Sequence, residues 1–95
     1  MKYHRTLTYS RLDMMKGERV KFHVEADIFE TRKTYEHGPC FVIDRASADR
    51  IDKAAGYNLP RYEYGLGMKH TGRYIVPQGD HNKETFDEIH TRMTT

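Results

Sequence analysis

Cysteine, proline and long apolar runs are all scarce in this chain of 95 residues. The single cysteine, Cys40, excludes an intramolecular disulfide, a bond on which small secreted domains normally depend. No apolar run approaches the roughly 20 residues that a bilayer-spanning helix needs, and the opening MKYHRTLTYS has no hydrophobic signal core. The sequence therefore predicts a cytoplasmic protein without a membrane partner.

Large aliphatic side chains and Phe are also few, since Leu, Ile, Val and Phe together make 17 of the 95 residues. So low a share is typical of disordered chains only when the net charge is high, and here the net charge is +2. We therefore expect a single folded domain over 1–95, with the seven Tyr supplying part of its core. Because that core is thin, a homodimer or a tight partner that covers an apolar face is a further expectation.

Signatures of catalysis or of a bound group are missing from the sequence. No phosphate loop of the form G-x-x-x-x-G-K-[ST] occurs, and His37-x-x-Cys40 supplies two of the four ligands that a structural zinc needs. Residues three apart on a strand face opposite ways, so Cys40 is interpreted as an inert buried thiol. His23, Glu25 and Asp27 share one strand face and are interpreted as its solvated side. We expect a protein that is not an enzyme, with no metal and no cofactor.

Alternation of apolar and polar side chains predicts the first strands. Residues 2–9 alternate and are expected to form a short strand. Ser10 is then predicted to cap a brief helical turn, which Gly17 ends. The clearest alternation in the chain predicts a strand over 19–29, with one face buried and the other wet.

The next segments predict a hairpin. The polar stretch 30–34 is interpreted as its loop, and a second strand is expected over about 35–44. Pro39 lacks an N–H for the ladder, so it marks an edge or a bulge. Phe41, Val42 and Ile43 follow one another without alternation, which indicates a strand covered on both sides.

Two helices complete the predicted fold. One runs from about 47 to 55, with Ser47 as its N-cap and Gly56 as its C-terminal stop. The other runs from about 82 to 93, and its apolar residues recur with helical spacing. Together these elements predict an α+β fold, in which a small antiparallel sheet of three to five strands has two helices packed on one face.

The segment 57–73, YNLPRYEYGLGMKHTGR, is the strongest candidate for a functional surface. Three Tyr and three Gly lie in it beside several cationic side chains, and no helical period fits it. Three interpretations stay open: core filler beneath a long connection, a protein-contact surface, or a stacking platform for nucleic acid. The predicted binding residues are Arg61, Tyr62, Tyr64, Lys69, His70 and Arg73.

In length, thin core and Tyr/Met/His-rich texture, the chain is similar to small accessory proteins of phages and mobile elements. Many of those bind and block a host protein. The similarity implies a non-enzymatic protein-binding module that inhibits a host or defence protein. The alternative is a nucleic-acid-binding protein, or a small metal-independent nuclease, that uses 61–73. A homo-oligomer is a third alternative.

Overall fold

The computed structural model describes residues 2–64 and 70–94, with the backbone alone at Arg61, Glu63, Tyr64 and His70. The elements in chain order are β1 (Tyr3–Asp13), β2 (Glu18–Thr34), β3 (Gly38–Asp44), α1 (Arg45–Ala55), β4 (Arg61–Tyr64), β5 (His70–Pro77) and α2 (Lys83–Thr94). The strands form an antiparallel sheet in the order β1-β2-β3-β5-β4. The predicted α+β fold, with a small antiparallel sheet and two helices, is confirmed.

Strands β1 and β2 form a long hairpin. The predicted cap at Ser10 is wrong, whereas a turn that ends at Gly17 is present, and the Gly17 N–H donates to the Asp13 carbonyl at 2.7 Å. Pairing runs unbroken from Tyr3↔Ile28 to Asp13↔Glu18, so ladder hydrogen bonds hold the backbone extended where a lone Ser cap favours a turn of helix. The chain reverses at 14–17, where Gly17 takes a left-handed φ of 69°. Asp13 fixes this turn, because its Oδ1 accepts the Met15 N–H at 3.0 Å.

A β-bulge explains why strand β2 is longer than its sequence pattern predicts. The register shifts between Ile28 and Glu30, and the buried positions change from even to odd numbers, so that Thr31 is buried beyond the bulge. The strand continues to Thr34, so the predicted loop over 30–34 is wrong. The turn falls at 35–37 instead, and the strand predicted from 35 begins at Gly38.

Strand β3 lies inside the sheet, between β2 and β5. Phe41, Val42 and Ile43 are all fully buried, which confirms that this strand is covered on both faces. The Cys40 thiol is buried as predicted. Pro39 does not mark an edge strand or a bulge, because it pairs with Lys33 in the second position of an inner strand.

Helix α1 is capped by Asp44 rather than by the predicted Ser47. The Asp44 carboxylate accepts the Ser47 N–H at 2.9 Å, and the helix therefore begins two residues before the predicted position. Ser47 is buried, and its hydroxyl accepts the Asp27 N–H at 2.7 Å, which ties α1 to β2. Gly56 ends the helix with a φ of 78°, as predicted.

The sheet curls strongly. In a flat sheet, β1 and β5 would lie roughly 14 Å apart, since two strands separate them. The Tyr9 hydroxyl nevertheless donates to the Pro77 carbonyl at 2.6 Å. The core fills the curl and takes residues from both helices: Leu7, Tyr9, Val24, Ala26, Ile28, Phe41, Ile43, Ala48, Ile51, Val76, Phe86 and Ile89.

Helix α2 docks through Phe86 and Ile89, two of the apolar residues that recur with helical spacing, and both are buried, whereas Met93 is 37% exposed. The residue before the helix, Asn82, is buried and bonds to β1. Its Oδ1 accepts the Thr8 N–H at 2.7 Å, and its Nδ2 donates to the Thr8 carbonyl at 2.9 Å. Asn82 thus satisfies the outer edge of β1 at Thr8 as a neighbouring strand would.

Candidate protein-contact surface

In the segment predicted to carry function, the described residues 61–64 and 70–73 lie in paired strands at the edge of the sheet. Strand β4 is the edge strand, and it pairs with β5 through Arg61↔Ile75 and Tyr62↔Tyr74. Of the predicted binding residues, Lys69 lies outside the described residues. Arg61, Tyr64 and His70 are placed in these strands by their backbone.

Tyr62 forms an aromatic pair with Tyr74, its cross-strand neighbour. Their ring centroids lie 4.5 Å apart at 75°, an edge-to-face arrangement. The Tyr62 hydroxyl also accepts the Gly72 N–H at 3.3 Å. Both rings are half-buried, and Tyr74 packs against the core. The pair is therefore rigid, and each ring keeps part of its surface in solvent.

Arg73 does not join this pair. Successive residues of a strand face opposite ways, and the Arg73 guanidinium lies 4.7 Å from the centroid of the Phe29 ring. The Lys2 ammonium lies 5.1 Å from the same centroid and forms an ion pair with Asp44 at 3.1 Å. Arg73 is therefore engaged in a cation–π contact away from Tyr62.

The Tyr62–Tyr74 pair forms one wall of a cleft, and helix α1 forms the opposite wall. The cleft encloses about 490 Å³. We call it the tyrosine cleft, and its lining residues are Arg45, Asp49, Asp52, Asn58, Pro60, Tyr62 and Tyr74. The side chains that the structure describes in this lining combine aromatic area with one cation and two carboxylates.

The floor of the tyrosine cleft is held in place by Asp52. Its carboxylate accepts the Leu59 N–H at 3.2 Å, which fixes the connection from α1 to β4. Partial burial raises the pKa of Asp52, the bond from Leu59 acts in the opposite direction, and repulsion from Asp49 raises the pKa further. The α1 side of the cleft is therefore an acidic environment.

A second cleft adjoins the first across the connection 57–60, and Asn58 lines both. This second cleft encloses about 360 Å³ and also contains His37, Tyr57 and Ile75 among its lining residues. The Tyr57 side chain is 51% exposed. The connection 57–60 thus lies between two hollows, with its own Tyr57 lining one of them and Tyr62 and Tyr74 lining the other.

Sequence reasoning found Tyr62 but missed Tyr57, Tyr74 and the α1 residues. Tyr74 carried no usable signal in the sequence, because two Tyr pair across a ladder only where the register places them opposite each other. The residues of α1 carried none, because Asp49 and Asp52 have the spacing of any solvated helix face.

The face of β1 and β2 that looks away from the core carries a separate polar cluster. His23, Glu25 and Asp27 lie on it as predicted, and His4 from β1 joins them. The imidazole of His4 lies 2.8 Å from Asp27 through Nδ1 and 2.8 Å from Glu25 through Nε2. The bond to Asp27 is the main cause that raises the pKa of His4.

The two nitrogens of this ring point to different carboxylates, an ion-pair geometry rather than a metal-binding one. In residues 2–64 and 70–94, no three His, Cys, Asp or Glu side chains come together as a metal ion would need. No helix in the described part of the chain has the length and apolar character to cross a membrane.

No protein-family model, curated protein or solved structure matches this chain. The surfaces described above are therefore the basis on which we infer function.

Proposed function

We propose that this protein is a non-enzymatic protein-binding module that contacts its partner through the tyrosine cleft and the adjoining ridge 57–60. The observation that supports the proposal is the placement of Tyr57, Tyr62 and Tyr74 around two neighbouring hollows. Tyr combines a large apolar ring with a polar tip and loses little conformational entropy on binding, so it is enriched in protein-contact surfaces.

The charges of the tyrosine cleft favour a protein partner over nucleic acid. Asp49 and Asp52 face the tyrosines, and Arg45 is the one cation among the described side chains that line the cleft. A phosphate backbone placed here would meet two carboxylates, whereas a protein partner can present a Lys or Arg to them. The stacking of Arg73 on Phe29 removes a further cation from the tyrosine face.

The proposed consequence of binding is inhibition of a host or defence protein. The support for this finer part is the similarity in size and texture to small accessory proteins of phages and mobile elements. A small rigid module blocks a larger protein by covering a surface that the larger protein needs.

Capture from a host lysate, followed by mass spectrometry, tests the proposal. The baits are the parent chain, Tyr57→Ala, and Lys53→Ala as a matched control on the exposed side of α1. A partner captured by the parent and by Lys53→Ala, but lost with Tyr57→Ala, supports the proposal. A partner captured equally by all three baits contradicts the placement of the surface.

The proposed inhibition is tested by assaying the activity of the captured partner with and without the parent chain. A dose-dependent loss of that activity, weaker with Tyr57→Ala, is the expected result. Activity that the parent chain leaves unchanged at saturating binding would contradict inhibition and leave the binding proposal standing.

A further inference from the structure

The hairpin of β1 and β2 extends beyond the core as an arm. The core reaches Tyr9 and Phe22, whose ring centroids lie 6.2 Å apart. Beyond them, four more residue pairs continue the ladder, from Ser10↔Lys21 to Asp13↔Glu18, and no residue of 10–21 belongs to the core cluster. We call residues 10–21 the arm.

The tip of the arm is apolar and exposed. Met14 is 82% exposed, Met15 is 96% exposed, and Leu12 just before them is 49% exposed. Exposure of large apolar side chains to water is unfavourable, and this chain has few such side chains to form its core. The position of two adjacent Met at the end of an arm therefore indicates a contact.

The arm also carries as much net charge as the whole protein. Its four cations are Arg11, Lys16, Arg19 and Lys21, against Asp13 and Glu18, which gives +2. The complete chain has the same net charge of +2, so the residues outside the arm have a net charge of zero. One of the two arm carboxylates, on Asp13, is turned to the N–H groups of Met15 and Lys16 within the turn.

The cations are distributed over both faces of the arm. Arg19 pairs with Leu12, and Lys21 pairs with Ser10, so both lie on one face. Arg11 lies between Ser10 and Leu12 in β1, so its side chain points to the opposite face. Lys16 lies at the tip. A flat anionic surface such as a bilayer would meet the tip alone, whereas the two walls of a nucleic-acid groove meet both faces.

We propose that the arm binds in a groove of duplex DNA, with its cations on the phosphate walls and Met14 and Met15 against the bases. A two-stranded ribbon, with strands about 4.8 Å apart, fits the major groove, which is about 12 Å wide. Phosphate contacts give affinity without sequence preference, and apolar side chains meet thymine methyls or wedge between base steps. The base of the arm adjoins the ridge 57–60, since Ser10 and Arg19 line one hollow with Tyr57 and Leu59. The DNA proposal concerns the outer part of the arm and does not depend on the proposed function.

The test is the binding of the whole protein to a fluorescent DNA duplex of about 25 base pairs, measured across a salt series. With four phosphate contacts, one for each arm cation, affinity should fall roughly 150-fold between about 50 and 200 mM salt. The double variant Lys16→Gln/Lys21→Gln should reduce that fall to roughly 12-fold, whereas Lys53→Gln on α1 should leave it unchanged. Met14→Ser/Met15→Ser should weaken binding roughly 5- to 10-fold and keep the salt dependence of the parent.

Two further probes separate the groove from other anionic surfaces. These are vesicles of phosphatidylcholine with phosphatidylglycerol, and polyglutamate. Tighter binding to either probe than to the duplex, or duplex binding that the arm variants leave intact, overturns the proposal. So does the absence of duplex binding at low salt. Melting temperatures equal to that of the parent confirm that the variants, all changed at exposed positions, remain folded.

Discussion

At the scale of single residues, polar side chains replace backbone hydrogen-bond partners that the sheet does not supply. Asn82 completes the outer edge of β1 at Thr8, and Ser47 accepts a β2 N–H beyond the end of β3. The sequence does not indicate these roles. Asn before a helix and Ser near its start both have the pattern of an ordinary N-cap residue.

Replacement of Asn82 by Ala should lower the free energy of unfolding by about 2 kcal/mol or more. The reason is that the Thr8 N–H and carbonyl, together with the Gln78 carbonyl, would lose their partner at a buried site. Denaturant melts measure the effect. Asn82→Asp is the informative control, since it retains the acceptor and loses both donors. Stability equal to the parent in both variants would show that water replaces the side chain.

The His4 cluster should make stability depend on pH in a defined direction. The pKa of His4 is raised in the folded state, chiefly by the bond to Asp27, whereas the unfolded value is about 6.5. The stabilisation is therefore fully present below that unfolded pKa, and it is lost as pH rises through the folded pKa.

The comparison that measures this is the melting temperature of the parent against His4→Gln. The parent should exceed the variant at about pH 5.5 and lose that advantage by about pH 8.5. An advantage that grows with pH would contradict the assignment of the raised pKa.

At the scale of elements, local pattern predicted the strands and helices that keep one period throughout, and failed where the period changes. The alternation from Val20 to Ile28 indicated the first part of β2. The bulge then changed the buried positions from even-numbered to odd-numbered residues, so the pattern of the remaining strand resembled a loop. The Tyr62–Tyr74 pair required knowledge of the register between β4 and β5, which one sequence does not contain. Composition alone sufficed to select the region around Tyr62.

The packing of β3 against α2 through two aromatic rings gives the third prediction. Phe41 and Phe86 are fully or almost fully buried, with ring centroids 5.7 Å apart at 66°. Phe41→Ala should therefore cost about 3–5 kcal/mol of unfolding free energy, through lost burial and a cavity. Lys21→Ala, on the exposed arm, should change it by no more than about 0.5 kcal/mol. Similar losses in both variants would mean that the core is misplaced.

At the scale of the whole molecule, two surfaces of different chemistry lie on one small fold. The tyrosine cleft is aromatic with carboxylates on its α1 wall, and the arm is cationic with an apolar tip. If either surface instead joins two copies of the chain, the melting temperature must rise with protein concentration. We expect it to be independent of concentration, because the arm cations repel their own copies.

The measurement that tests the central claim most directly is made on the captured partner, with two values for each variant: melting temperature and affinity. Tyr57→Ala removes an exposed ring, so the melting temperature should stay near that of the parent, while binding weakens by about 2 kcal/mol or more. Tyr64→Ala, a predicted binding residue, should behave in the same way. The result that would contradict the account is unchanged affinity in folded Tyr57→Ala, Tyr62→Ala and Tyr64→Ala alike, because the tyrosines would then serve the fold alone.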